Sequence, residues 1–191
     1  SRSAVFTYSH SSFVRSAMGD RVNMVGERGS GFQYISEALD LERFTMFTLS
    51  PIAERTKLLC EYVKTAERDG RPLKDDPLVR EQIARLVTDT AVARALSVRF
   101  VCAAKGGGKP PTTDSAQYKL FATQLSQRAC DVALDIMGPA GQLKVDTEDA
   151  PLQGRFEGAY RCTVVETIGG GASEIQKNII ARRKLGLPKN F

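Results

Sequence analysis

The chain of 191 residues, 42% hydrophobic and 26% charged, is long enough for one substantial globular domain with its own core. Its net charge of +5 arises from interspersed acids and bases with few aromatics, which argues against a nucleic-acid surface. No apolar run approaches the ~18 residues of a membrane helix, and the N-terminus lacks the order of a signal peptide, so a cytoplasmic protein without a membrane partner is expected.

A single histidine, His10, in a polar segment leaves little room for Ser-His-Asp, Cys-His or histidine-rich metal chemistry. The four cysteines, Cys60, Cys102, Cys130 and Cys162, are widely spaced and read as buried helical thiols rather than a metal or redox motif.

In chain order, Val5 to Tyr8 is a short β-prone run and Val25 to Phe32 a turn cluster, which together read as the end of a preceding β domain over residues 1–30. A lone strand has no partner, which suggests that something precedes residue 1. Over residues 31–191 the period becomes 3.6. A first long helix is expected from about Gln33 to Arg68, kinked at Pro51 and ended by "DGRPLKDDP". A second spans about Leu78 to Lys105, with Val79, Ile83, Leu86, Val87, Thr90 and Ala91 as its apolar stripe, and ends in "GGGKPP". The last of these stretches resembles a phosphate loop only superficially, because its Gly-Lys is followed by proline. A third helix starts from an acidic cap at Asp114, with Gln117 three positions on, and runs to "MGPAG". A fourth covers about Leu152 to Thr167. The last begins behind Gly169, Gly170 and Gly171 with a capping box formed by Ser173 and Gln176, and stops at Gly186 and Pro188. The fold class is therefore mainly α, an up-and-down helical bundle preceded by a short β remnant.

Two features carry possible chemistry. The glycine turn with its capped helix can present backbone N–H groups to an anion or oxyanion; a well-capped helix after a flexible turn is the structural alternative. In the first helix, Ile35, Ala38, Leu39, Glu42, Thr45, Met46 and Leu49 share a face, so Glu42 is a lone carboxylate in an apolar stripe. It is a general base of raised pKa or the partner of an arginine from a neighbouring helix.

Three segments, "VGERGSGFQYISEALDLERF", "YKLFATQLSQRACDVALDIMGPAGQL" and "IGGGASEIQKNIIARRKLGLPK", together resemble the C-terminal part of an acyl-CoA dehydrogenase, including actinobacterial members. The resemblance implies an FAD-dependent oxidoreductase of fatty-acid or steroid β-oxidation, in which a glutamate removes the α-proton of an acyl-CoA and FAD takes the β-hydride. Most of the family carries that glutamate at the position of Gly170; a minority carries it on the first long helix before an arginine, where this chain has Glu42 and Arg43. The resemblance gives Gly170 the backbone N–H that holds the thioester oxygen, places Arg43 and Gly171 at the substrate, and places Gly171, Ser173 and Glu174 at FAD. Asp135, where the family has glutamine, and Pro139 in the turn that follows depart from the cradle for a partner's FAD. This implies a hetero-oligomer with a paralogous subunit. The alternative is a non-catalytic partner subunit or oligomerisation module, and residues 1–191 by themselves are expected to be inactive.

Overall fold

The computed structural model describes residue 27 and residues 29–45, 49–105 and 111–188. The chain falls into two compact units, Ser1–Ser36 and Glu37–Phe191. In the first, Gly29 at φ 91 makes the turn expected there. The Ser30 N–H donates to the Glu27 carbonyl at 3.1 Å. The β-prone run Val5 to Tyr8, His10 and the Gly106–Pro110 part of "GGGKPP" lie outside the described residues.

The expected first helix is two helices, α1 (Gly31–Thr45) and α2 (Leu49–Thr65). Pro51 falls in the first turn of α2, where its missing N–H would have had no intrahelical acceptor, so it starts a helix instead of kinking one. Beyond α2 a two-residue strand pair, β1 (Glu67–Arg68) and β2 (Arg71–Pro72), replaces the plain break. Asp69 at φ 53 and Gly70 at φ 72 form the left-handed pair that such tight hairpins require.

The second helix, α3 (Pro77–Lys105), starts one residue earlier than expected, where Asp76 accepts the Leu78 N–H at 2.8 Å. Its buried residues are Val79, Leu86, Ala93 and Phe100, whereas Val87 and Ala91 of the predicted stripe are exposed. The four lie seven residues apart, a 3.5-residue repeat that buries one narrow face and leaves the flanking positions of the stripe outside. The third helix, α4 (Thr112–Met137), begins ahead of Asp114, which lies in its first turn and pairs with Arg99 across to α3. It has no side-chain cap, and Gln117 instead accepts from Lys184 Nζ at 2.7 Å. At its far end Arg68 Nη2 donates to the carbonyls of Asp135 and Ile136, a cation closing a helix C-terminus.

The fourth helix is shorter than predicted. Pro151–Gly154 forms a tight turn with Leu152 and Gln153 in left-handed conformation, and the regular helix α5 is Arg155–Glu166. A Cβ on Gly154 would lie 2.5 Å from the backbone of Lys144 and Val145, so only glycine lets these segments meet. The last helix, α6 (Ser173–Ile179), ends in a π turn, Ile180–Lys184, with Gly186 at φ 68 beyond it.

The expected bundle forms. Helix α4 is central, packed against α2, α3, α5 and α6. Its buried Ala116, Ala122, Ala129 and Ala133 carry short side chains that let neighbouring helices approach it on more than one side. Leu59, Leu86, Leu125, Ile136 and Phe156 fill the space between the helices. Of the four cysteines, all on helices, only Cys130 is buried; Cys60 is half-buried, and Cys102 and Cys162 are exposed because their helices turn those faces outward. Among the described residues no helix is long and apolar enough to cross a membrane.

Candidate functional site

The site is built on the turn between α5 and α6. Helix α5 unwinds through the Ile168 and Gly169 N–H groups, both donating to the Val165 carbonyl. Gly170 then adopts φ 64 and Gly171 φ 100. These left-handed residues bring the Gly170 and Gly171 carbonyls to a set of inward-facing donors. Arg43 Nε donates to the Gly170 carbonyl at 2.7 Å and Lys119 Nζ to the Gly171 carbonyl at 2.8 Å. Gln176 Nε2 is 3.1 Å from the first and 3.0 Å from the second. In a trans peptide the C=O and the next N–H point in opposite directions, so inward carbonyls turn the N–H groups of Gly171 and Ala172 away. Among the described residues those two N–H groups, and that of Gly170, donate to no protein acceptor.

The turn is anchored through α1. Phe44 stacks on Phe100 at 4.3 Å and tilts against Tyr118 at 5.2 Å, seating the end of α1 on α3 and α4. One turn earlier Asp40, 4% exposed, accepts from Arg43 Nη1 and from Thr112 Oγ1, each at 2.6 Å, while its carbonyl accepts from Ser115 Oγ at 2.8 Å. Arg43 therefore spends one guanidinium edge on a buried carboxylate and another on the glycine turn. Lys119 is fully buried, and its pKa is lowered, first by desolvation and then by the nearby Arg43 charge, with Glu166 and Glu174 opposing.

The structure brings the sequence-predicted residues together unevenly. Glu42 is partly exposed; of its predicted stripe Ile35 and Ala38 are exposed and Leu39 is half-buried, Leu49 packs against the core from α2, and Met46 and the Thr45 side chain lie outside the described residues. The helix face that packs inward carries Asp40, Arg43 and Phe44. Arg43, next to Glu42 in the chain, is buried against Gly170 rather than open to a ligand. The capping box does not form. Ala172 is the N-cap, α6 begins at Ser173, and no side chain caps it; Gln176 Nε2 is held by the two glycine carbonyls, which directs the amide at the turn. The Ser173 N–H donates to the Thr167 carbonyl at 3.1 Å, and Glu174 is exposed. Sequence reasoning missed Asp40, Lys119 and Gln176. Asp40 and Arg43, at i and i+3 on either side of Glu42, were a readable ion pair. Lys119, between Ala116 and Ala122 on the most deeply buried helix, was the other signal.

Comparison with known proteins bears on this geometry. Residues 29–185 match the family described as acyl-CoA dehydrogenase, C-terminal domain. Acyl-CoA dehydrogenase FadE26 of Mycobacterium tuberculosis is 28% identical over 87% of this chain and 42% of its own. The acryloyl-CoA reductase (NADH) of Anaerotignum propionicum is 36% identical over 84% of this chain and 39% of its own. Among solved structures the ChsE4-ChsE5 complex from Mycobacterium tuberculosis superposes with TM-score 0.77 and 27% identity, over 89% of this chain and 43% of the matched one. The chain thus spans about two fifths of the length of the curated relatives it matches.

Proposed function

The chain belongs to the acyl-CoA dehydrogenase family, and we propose that it forms the helical part of an FAD-dependent enzyme that desaturates an acyl-CoA thioester between Cα and Cβ, with Glu42 removing the α-proton. The observation that carries this reading is the 2.7 Å bond from Arg43 Nε to the Gly170 carbonyl. That bond ties α1, the helix that carries Glu42, to the glycine turn, which supports a base supplied from α1. On this reading a base from α1 and the backbone donors of the turn flank one place. A thioester α-proton is weakly acidic, so its removal needs charge stabilisation on the carbonyl oxygen as well as a carboxylate. The Gly170 N–H is the donor we assign to that oxygen.

FAD, when bound, would supply the hydride acceptor. The residues present suit it: unpartnered N–H groups at Gly171 and Ala172 and the Ser173 hydroxyl are donors for the acceptor atoms of a flavin nucleotide, and Gly171 and Glu174 border the same turn. Because glycine at 170 leaves no side chain toward the substrate, the space suits a bulky or branched acyl group. Similarity to a complex of two differently named subunits, ChsE4 and ChsE5, supports a hetero-oligomer with a paralogous subunit.

A second reading, a non-catalytic partner subunit, is favoured by the partial exposure of Glu42. Glu42→Gln in the complete protein with its partner separates the two. A general base contributes roughly 10²–10⁴ in rate. Acyl-CoA-dependent flavin reduction should fall by about that factor, and a rate near wild type would overturn the assignment.

A further inference from the structure

Two buried cations, Arg43 and Lys119, sit on successive carbonyls of one three-glycine turn. Cations at the interior of a bundle are ordinarily matched to carboxylates, and here Arg43 does hold Asp40 at 2.6 Å. Yet both also reach backbone oxygens, at 2.7 Å for Arg43 and 2.8 Å for Lys119, from α1 and α4 respectively. Gln176, fully buried, spans the same two oxygens from α6. Three helices thus fix the direction of two consecutive peptide planes, and no other turn of the described residues is held in this way.

We infer that Arg43 and Lys119 are positioning residues: by holding the Gly170 and Gly171 carbonyls inward they set the N–H groups of Gly171 and Ala172 outward, and Asp40, tied to Thr112 and Ser115, keeps Arg43 in place. Lys119 is therefore retained at the centre of the bundle to orient a backbone, and the charge it carries is directed at a carbonyl. The importance of this orientation to turnover rests on the function proposed above; the orientation itself does not.

The test is amide hydrogen exchange by mass spectrometry on the complete protein as expressed, comparing peptides over 168–173 with peptides over the buried parts of α3 and α4. Lys119→Met and Arg43→Met should each speed exchange of the hydrogen-bonded Ile168, Gly169 and Ser173 amides by about tenfold or more while core peptides stay within about twofold. Arg43→Met leaves Asp40 as a lone buried carboxylate, so the double variant Asp40→Asn/Arg43→Met is measured beside it. Arg43→Lys, which keeps a cation on one of the two acceptors, should restore part of the protection. Unchanged exchange at 168–173 in Lys119→Met and the double variant would overturn the inference, as would an equal rise in core and turn. Because exchange is read without turnover, a failure of the base assignment at Glu42 would show only in flavin reduction, and a failure of the clamp only here.

Discussion

Replacing Gly171 by alanine isolates what the clamp demands of the backbone. At φ 100 an L-residue is strained, and the added Cβ would sit 2.8 Å from Gln176 Nε2 and 3.6 Å from Arg43 Nη2. The backbone part costs about 1–2 kcal/mol. Gln176 is fully buried and cannot retreat without giving up its bonds to the Gly170 and Gly171 carbonyls, at about 1 kcal/mol each. The expected loss is about 2–4 kcal/mol, or a fall in Tm of roughly 5–15 °C for a domain of this size. Gly186→Ala is the matched control: φ is 68 and nothing lies within 4 Å of its new Cβ, so only a backbone cost of about 1 kcal/mol is expected. Urea denaturation of the two variants and the parent measures the difference. If Gly171→Ala costs no more than Gly186→Ala, Gln176 is free to move and the turn is not clamped.

Two further outcomes follow from the same structure. Burial pushes the Cys130 thiol from 9.0 up to about 11 and the Tyr118 hydroxyl from 10.0 up to about 12. Both stay protonated when folded at pH values where the unfolded chain ionises them, so their contribution is full below pH 9 and is lost as pH rises through 11 to 12. Each shift corresponds to about 3 kcal/mol. Thermal melts between pH 8 and 12 should show a decline from pH 9 that Cys130→Ala delays toward the onset set by Tyr118, and parallel curves would refute the assignment. The hetero-oligomer is checked by purifying the complete protein without its partner and counting bound FAD: a substoichiometric flavin content is expected, and a saturated homotetramer would contradict the proposal.

The helices were legible because their apolar periodicity and their breakers agree; Pro77, Gly138 and Gly186 mark ends that the structure keeps. The failures share a physical cause, competition between local and tertiary partners for one side chain. Ser173 and Gln176 have the spacing of a capping box, but the Ser173 N–H that Gln176 would accept donates to the Thr167 carbonyl, and Gln176 Nε2 turns to the two glycine carbonyls. Asp114 has a cap's composition and instead meets Arg99. The β-hairpin was announced by Asp69 and Gly70 and passed over because its strands are only two residues long. Glu42 stood out for a wrong reason: its stripe is apolar in composition, but the inward face of α1 is set by Phe44 stacking and by the Asp40–Arg43 pair, roughly 150° around the helix.

The three glycines are not equivalent, and the difference bears on how a base could leave this turn. Gly169 has no positive φ, so its backbone admits other residues. Gly171 at φ 100 lies outside the left-handed region open to ordinary side chains and faces Gln176, so glycine there is a condition of the clamp. Gly170 at φ 64 lies within that region, where a side chain costs roughly 1–2 kcal/mol. A glutamate at this position, as in most of the resembling family, is therefore tolerable to the backbone, and its replacement by glycine relieves modest strain without moving the turn. Arg43 and Lys119 hold the carbonyls of residues 170 and 171, which every residue type possesses. The orientation of the Gly171 and Ala172 N–H groups is thus independent of the side chain at 170, which can change without disturbing the clamp.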